Sequence, residues 1–465
     1  MTPLDFKPDV GGGRIMAAAF RCRCECASGL HFFSWFASSA LGLLLLGAVS
    51  TQAWAPSSPD GGQVPSANYD ESKAGSFPLP DPLVFNDGKP VKTAREWKKR
   101  RRTEVLQLLE ADVYGRSPKA PKHIRFQVFD LDKAALGGKA TRKQVTVYFP
   151  TPKGDAHEDL LIYIPSGAPK PVPLILELNF LGNQSVTYDP GVKAATIWLG
   201  KPPARVRAPE KMRGIDKNFD LEKLLGRGYG FATVCYQDIE PDFKEGITQG
   251  GIRRKFLPAG QTESSPDGWG AIGAWAYGLS RAMDYLEKDK DVDARRVAIM
   301  GHSRLGKTVL WAGAQDTRFA MVLSSCSGRG GASPWRRNYG ETLQSMSRAF
   351  PFWFCPNLFK YVDQVDKLPV DSDDLTALIA PRPVYITSAE DDQWADPRGM
   401  FMAAVAAGPV YKLLKAEDLG TDQMPGLNEP IMHTLAFHIR TGKHAVTAFD
   451  WDQFLTFADM HLKAY

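Results

Sequence analysis

The sequence predicts an α/β fold of three layers, in which helices cover both faces of a mostly parallel central sheet. Two observations support this prediction. Short, solidly apolar runs recur along the chain, which is typical of strands buried on both faces, and they alternate with segments whose apolar residues follow a helical period. The chain has 465 residues, 43% of them hydrophobic, so it can bury one large core, and the sequence shows neither a repeat nor a second core.

The N-terminal segment has the pattern of a secretory signal. Two arginines precede the apolar run 40–49, and a small-x-small sequence ends at Ala55. We therefore expect residues 1–55 to be a signal peptide that is cleaved after Ala55, leaving a secreted or periplasmic protein without stable membrane association. A retained anchor is the alternative, because residues 29–58 carry no Asp, Glu, Lys or Arg. The most apolar part is nevertheless shorter than the ~20 residues that span a bilayer.

The rest of the chain divides into a linker and one domain. Residues 56–92 are rich in Pro, Gly, Ser and Asp without an apolar period, which predicts an exposed, flexible linker. Residues 93–465 form the predicted domain, which begins with an amphipathic helix at Thr93 whose basic run 98–102 is interpreted as a solvated face. The clearest later helix is expected at 271–286, and the strands are expected at 125–129, 144–149, 160–164, 172–178, 230–236, 297–300, 319–323, 383–387 and 410–414.

The charged residues, histidines and cysteines of the chain limit the partners, cofactors and disulfide bonds that we expect. The chain has 57 Lys+Arg against 52 Asp+Glu and no domain-wide basic stripe, so we expect no nucleic-acid partner. The histidines are dispersed, and we expect no metal and no other cofactor. Of the cysteines beyond the leader, Cys235, Cys326 and Cys355, only two can pair, and a Cys326–Cys355 bridge is conceivable. We expect a monomer.

The most specific motif is a predicted sharp turn around a serine. A buried strand runs into Gly301-His302-Ser303-Arg304-Leu305-Gly306, and a helix-forming stretch follows. This is the context of the Gly-x-Ser-x-Gly nucleophile elbow, here with the second glycine one residue later. Glycines allow the strand and the helix to approach closely, so that the serine hydroxyl is presented above the sheet. Ser303 is therefore the candidate nucleophile.

A serine nucleophile needs a base that is oriented by an acid, and in this arrangement the chain order is serine, acid, histidine. We predict His433 as the base, because it lies in a loop after the last expected strands. We expect His438 and His444 on the helix that follows and assign them no catalytic role. Glu390, Asp391 and Asp392 follow the strand expected at 383–387, and the residues alone leave open which of them is the acid.

Three segments together resemble a known family. The elbow with Lys307, the acidic segment 390–397 and the segment 336–341 are similar to those of the glucuronoyl esterases, carbohydrate esterase family 15, in their bacterial form. The resemblance covers the chain from Glu96 onward and implies an α/β-hydrolase fold. It also implies roles for seven residues: Ser303 as nucleophile, His433 as base, Asp392 as acid, Arg304 in the oxyanion hole, and Lys307, Glu341 and Trp394 as ligands of the sugar.

One position departs from the family pattern. The resemblance places a glutamate after the strand that follows the elbow in fungal members, and Cys326 stands at the matching place here. Because a thiol does not replace a hydrogen-bonding carboxylate, the role of the acid should pass to Asp392.

The resemblance implies hydrolysis of esters of glucuronic or 4-O-methylglucuronic acid. The substrate would be glucuronoxylan or a lignin–carbohydrate ester. An acetyl-xylan esterase or general carboxylesterase on the same fold, and a non-catalytic carbohydrate-binding protein, are the alternative hypotheses.

Overall fold

The structure of the protein is a computed structural model that describes residues 67–463. The signal peptide predicted at 1–55 and the first part of the predicted linker, 56–66, lie outside the described residues. Within residues 67–463, no helix is both long and apolar enough to cross a membrane.

The strands of the described residues form one large sheet and one small one. Their bounds are β1 Arg125–Ala135, β2 Ala140–Phe149, β3 Ala156–Pro165, β4 Val172–Asn179, β5 Thr196–Leu199, β6 Ala204–Arg207, β7 Gly230–Cys235, β8 Val292–His302, β9 Met321–Ser325, β10 Val384–Ala389, β11 Ile431–Met432 and β12 Leu435–Arg440. Over residues 67–463, the large sheet has ten strands in the order β1-β2-β3-β7-β4-β8-β9-β10-β12-β11, and β5 pairs with β6.

The middle of the large sheet is parallel. Strands β7, β4, β8, β9, β10 and β12 run in one direction, while β1, β2 and β3 add an antiparallel edge and β11 closes the other edge antiparallel to β12. The carboxyl ends of the parallel strands therefore meet at one edge of the sheet, where ligand sites of open α/β sheets lie.

Helices cover both faces of this sheet. Their bounds are α1 Ala94–Glu96, α2 Arg102–Asp112, α3 Leu221–Gly226, α4 Tyr236–Ile239, α5 Gly246–Gln249, α6 Gly251–Phe256, α7 Ala271–Leu286, α8 Arg304–Gln315, α9 Leu343–Ala349, α10 Ser372–Ala377, α11 Pro397–Leu413 and α12 Ala448–Leu462, and the π-helical turn Trp97–Arg101 joins α1 to α2.

The hydrophobic core has two parts, one on each face of the large sheet, because side chains alternate between the faces along each strand. Leu174 and Leu176 of β4 pack in the core beneath α7, α8, α10 and α11, and Ile175 packs in the core beneath α3 and α12. Successive side chains of a strand point to opposite faces, so an uninterrupted apolar run is what a strand covered on both sides requires. The predicted three-layer α/β fold is confirmed.

The prediction of a strand at residues 410–414 is wrong. Residues 410–414 lie mainly in α11, which begins after the helix cap Asp396 with Pro397 in its first turn. A short apolar run does not by itself distinguish a strand from a buried helix segment. Among residues 67–463, the sequence analysis missed four strands, β5, β6, β11 and β12. The one that matters for the site is β12, which pairs in parallel with β10.

Residues 67–92 of the predicted linker are mostly exposed, but they pack against the domain at several points. Phe85 and Val91 are buried in the core, and the buried Arg101 donates from Nε to the carbonyl of Pro82 at 3.0 Å and from Nη1 to Asn86 Oδ1 at 2.8 Å. A few apolar residues, too widely spaced to show a helix or strand period in the sequence, nevertheless pack this segment against the domain. Arg101 also shows that the basic run 98–102 is not solvated throughout.

Candidate active site

The elbow forms where the sequence predicts it. Ser303 lies between the last residue of β8 and the first residue of α8, with φ 59° and ψ −127°. This left-handed backbone is strained for a residue with a side chain. A Cβ on Gly301 would lie 2.1 Å from the carbonyl oxygen of Leu305, so only glycine fits there. Ser303 is partly exposed, and its N–H donates to the carbonyl of Ser325 at 2.9 Å, which fixes the turn against β9.

The acid and a histidine meet beside the elbow. Asp392 follows β10, and its Oδ2 lies 2.6 Å from Nδ1 of His444 in the loop between β12 and α12. The ring of His444 packs against the ring of His302, the residue that precedes Ser303 in the elbow, with centroids 4.4 Å apart. Among the three acids that the sequence left open, Glu390 contacts the N–H of Gly442 and Asp391 is exposed, so Asp392 is the one that contacts a histidine.

The predicted pairing of His433 with the acid is wrong. Nδ1 of His433 hydrogen-bonds the carbonyl oxygen of Asp418 at 2.9 Å, and its ring faces Gly420. The error follows from the missed strand β12. His433 precedes this strand, whereas the loop after the last parallel strand begins beyond Arg440 and carries His444.

His438 is also placed differently from its prediction. It is buried within β12, not on a helix, with Nδ1 2.9 Å from the hydroxyl of Tyr385 and Nε2 3.0 Å from Oδ1 of Asp450. These partners occupy both ring nitrogens, so His438 has a structural role. The sequence signal that could have identified His444 is the apolar run 435–439, which marks a late strand ahead of it.

Cys326 is the residue for which the resemblance implied a glutamate in fungal members. It follows β9 with φ 47°, and its Sγ, a carboxylate oxygen of Asp392 and a ring nitrogen of His444 all lie within 4.8 Å of one another. Cys235, Cys326 and Cys355, the cysteines among the described residues, are free and buried. The conceivable Cys326–Cys355 bridge is therefore not formed.

A buried ion pair holds Arg304 at the first turn of α8. Its guanidinium donates to Oδ2 of Asp242, and Asp242 also accepts from the hydroxyl of Tyr236 at 3.0 Å and from Nε1 of Trp353 at 2.7 Å. Burial lowers the pKa of Arg304, but Asp242, Tyr236 and Glu341 together raise it by more, so the net effect is a raised pKa. Arg304 is thus a positioned cation beside the elbow. Sequence reasoning missed Asp242, which lies just beyond α4 at the carboxyl end of β7.

The three residues expected to hold a sugar lie together. Nζ of Lys307 donates to the carbonyl of Ser327 at 2.6 Å and to Oε2 of Glu341 at 3.1 Å, and the N–H of Glu341 donates to the carbonyl of Trp394 at 2.9 Å. Burial lowers the pKa of Lys307 despite the adjacent carboxylate. Trp394 lies in the turn directly after Asp392. This cluster therefore adjoins the His444–Asp392 pair.

A serine at a strained turn between a buried parallel strand and a helix, with a histidine and an acid supplied by later strands, is the arrangement of the α/β-hydrolases. The fold and the site place the protein in that class.

Comparisons with known proteins identify the family within the class. A family model described as "Glucuronyl esterase, fungi" matches residues 264–415. A carbohydrate esterase of an unknown prokaryotic organism is 43% identical over 425 residues, 90% of this chain and 98% of the relative. A solved glucuronoyl esterase from Solibacter usitatus is 48% identical with a TM-score of 0.81, covering 84% of this chain and 100% of that one. A promiscuous CE15 esterase from a marine bacterial metagenome is 44% identical with a TM-score of 0.79, covering 85% and 100%.

The chain belongs to the glucuronoyl esterases of carbohydrate esterase family 15. It is a carboxylic ester hydrolase, and the resemblance inferred from its motifs is confirmed.

Proposed function

We propose that the protein hydrolyses esters of glucuronic or 4-O-methylglucuronic acid through a Ser303–His444–Asp392 triad and an acyl-enzyme. The observation that carries the proposal is the 2.6 Å contact between Asp392 and His444 beside the strained Ser303 elbow. His444 replaces His433 in the role of the base. A 4-O-methyl-glucuronoyl methylesterase from Schizophyllum commune, 27% identical over 75% of this chain and 77% of the relative, supports the substrate class.

The His444–Asp392 contact determines which nitrogen acts as base. A carboxylate accepts hydrogen bonds only, so Nδ1 of His444 carries the proton. The lone pair of Nε2 is then available to take the proton of the Ser303 hydroxyl as it attacks the ester carbonyl. The imidazolium returns this proton to the departing alcohol, and a water molecule activated in the same way releases the uronic acid. Burial and the adjacent His444 lower the pKa of His302 far below its ordinary value, so His302 adds no competing cation.

Arg304 stabilises the charge that develops during attack. The carbonyl oxygen becomes negative in the tetrahedral intermediate, and a cation held in advance favours this state over the neutral ester. Asp242 and Trp353 hold the guanidinium in place, with its carbon 5.0 Å from the centroid of the Trp353 ring. Removing one such donor costs about 2.7–4 kcal/mol of barrier.

The uronate ring binds at the Lys307–Glu341–Trp394 cluster. Lys307 supplies donors and Glu341 supplies acceptors for sugar hydroxyls, while the half-buried Trp394 supplies an apolar face. We propose glucuronoxylan or a lignin–carbohydrate ester as the natural substrate. The protein would act as a monomer after export to the periplasm or the medium and cleavage after Ala55.

The test is hydrolysis of the methyl or benzyl ester of glucuronic acid by the protein and by Ser303→Ala. We expect Ser303→Ala to lose turnover by about 10³-fold or more with an unchanged unfolding temperature. Comparable turnover by the variant would contradict the serine mechanism. Binding of glucuronoxylan without turnover by the unsubstituted protein would favour the non-catalytic alternative.

A broader esterase activity is a second candidate, because the similar marine metagenome structure is described as a promiscuous CE15 esterase. The test of this broader activity is to compare hydrolysis of acetylated xylan and p-nitrophenyl acetate with hydrolysis of benzyl glucuronate. We expect a higher kcat/KM on the uronate, because an acetyl group makes none of the hydrogen bonds that the uronate hydroxyls make with the Lys307–Glu341–Trp394 cluster. A higher kcat/KM on acetyl esters would reverse the assignment.

A further inference from the structure

Cys326, Asp392 and His444 bring three metal-binding atoms together. Each residue follows a different strand, β9, β10 or β12, and these strands are neighbours in the sheet. The thiol sulfur, a carboxylate oxygen and a ring nitrogen lie within 4.8 Å of one another. Cys326 and Asp392 are buried, while the His444 side chain is 34% exposed. An ion from solvent can therefore reach the cluster from the side of His444.

The three groups match the ligands that zinc prefers. Zn²⁺ binds thiolate at about 2.3 Å and imidazole or carboxylate at about 2.0–2.2 Å, and sites with three protein ligands keep a fourth position for water. Tetrahedral geometry at these lengths puts the ligand atoms roughly 3.3–3.6 Å apart. For all three atoms to bind one ion, the Asp392–His444 contact of 2.6 Å must open and the ligand atoms, now within 4.8 Å of one another, must adjust to these separations.

We propose that Cys326, Asp392 and His444 form a binding site for Zn²⁺ and that occupation of this site stops hydrolysis. Burial raises the pKa of the Cys326 thiol, so the incoming ion displaces the thiol proton to solvent as the Zn–S bond forms. The inhibitory part of the proposal rests on the proposed function of His444.

Inhibition follows from the chemistry of the imidazole. Zinc occupies Nδ1 of His444, so the single proton of the neutral ring lies on Nε2. That nitrogen then cannot accept the proton of the Ser303 hydroxyl. Asp392 is engaged by the ion and no longer orients the ring. A hard ion such as Mg²⁺ prefers an octahedral set of oxygen ligands and does not fit this site.

The first experiment measures hydrolysis of benzyl glucuronate in metal-free buffer with increasing ZnCl₂. Cys355→Ser is the matched control, because Cys355 is also a buried free thiol, with its Sγ 3.7 Å from the carbonyl of Ala111. We expect zinc to inhibit the unsubstituted protein and Cys355→Ser equally, with recovery on adding a chelator and no effect of Mg²⁺. Cys326→Ser should need at least about 100-fold more zinc for the same fractional loss of its own activity. Equal zinc sensitivity of Cys326→Ser overturns the proposal.

The second experiment detects the metal without activity. Co²⁺ replaces zinc, and a thiolate ligand gives a sulfur-to-cobalt charge-transfer absorption. We expect this band in the unsubstituted protein and in Cys355→Ser, its loss in Cys326→Ser, and a weaker binding constant in His444→Gln. Absence of the band from the unsubstituted protein overturns the site. If the band appears while the protein does not hydrolyse glucuronate esters, the metal site stands and the proposed function fails.

Discussion

His444 and His433 differ in what their ring nitrogens contact, although both follow Ser303 and Asp392 in the chain. Nδ1 of His444 contacts a carboxylate, which stabilises an imidazolium. Nδ1 of His433 contacts a backbone carbonyl, which orients the ring without supplying a charge. A base whose positive form is stabilised by an adjacent anion is the stronger candidate for proton transfer from serine.

Substitution of the two histidines by alanine separates their roles. We expect His444→Ala to lower kcat on benzyl glucuronate by about 10³-fold or more. We expect His433→Ala to keep kcat close to that of the unsubstituted protein and to cost about 1 kcal/mol of stability through its lost hydrogen bond. Steady-state kinetics with thermal unfolding as a control measures both. A loss of kcat confined to His433→Ala would restore the original assignment.

At the scale of elements, the π-helical turn between α1 and α2 divides the basic run by environment. Lys98, Lys99 and Arg100 are exposed, whereas Arg101 is buried. Arg102, half-buried, donates to the carbonyls of Leu378 and Ala314 at 3.2 and 2.6 Å. It thereby caps carbonyl groups at the ends of α10 and α8, where a cation is favourable. The basic run thus links the N-terminal helix to the helix that begins at the elbow.

A comparison of Arg101→Ala with Lys98→Ala tests this difference between a buried and an exposed residue of the basic run. Truncating Arg101 removes two hydrogen bonds and the ion pair with the buried Asp374, 3.9 Å from its guanidinium. We expect a loss of about 2–4 kcal/mol in the free energy of unfolding. Lys98→Ala should stay within about 0.5 kcal/mol of the unsubstituted protein. Urea denaturation of both variants measures the difference, and equal midpoints would contradict a structural role for Arg101.

At the scale of the whole molecule, the segment 67–92 completes the surface next to the site. Asn68 accepts through its carbonyl from the N–H of Gly340 at 2.9 Å, one residue before Glu341, and Glu71 pairs with Arg337 at 2.5 Å. Arg337 in turn contacts Asp396 at 3.0 Å, the cap of α11. The segment therefore supports the backbone that carries Glu341 and the turn that carries Trp394.

Two truncated chains test this support. A chain of residues 67–465 should keep the kinetics and stability of the full protein. A chain of residues 93–465 should lose about 3–6 kcal/mol of stability, since it exposes the pockets of Phe85 and Val91, and should show a raised KM on benzyl glucuronate. Thermal unfolding and steady-state kinetics measure both effects. Unchanged stability and KM in the shorter chain would show that the segment is a linker after all.

Local sequence alone determined the fold class, the elbow and the acidic loop. These features depend on residues that are only a few positions apart, so they can be inferred from spacing. They are the apolar runs of β4 and β8, the glycine at 301 and the helix-forming residues after Ser303. The family motifs around Ser303 and Asp392 are equally local. Burial of Arg101 and docking of residues 67–92 were not predictable in this way, because isolated apolar residues show no period.

Only the tertiary structure decided which histidine contacts Asp392, because that contact joins residues 52 positions apart and depends on where the last parallel strand ends. β12 carries the chain past His433 and brings His444 to the edge where β8, β9 and β10 also end. The same edge collects Cys326 and Asp242 beside the elbow. The order of the strands in the sheet places these side chains together, and this order cannot be inferred from the spacing of residues along the sequence.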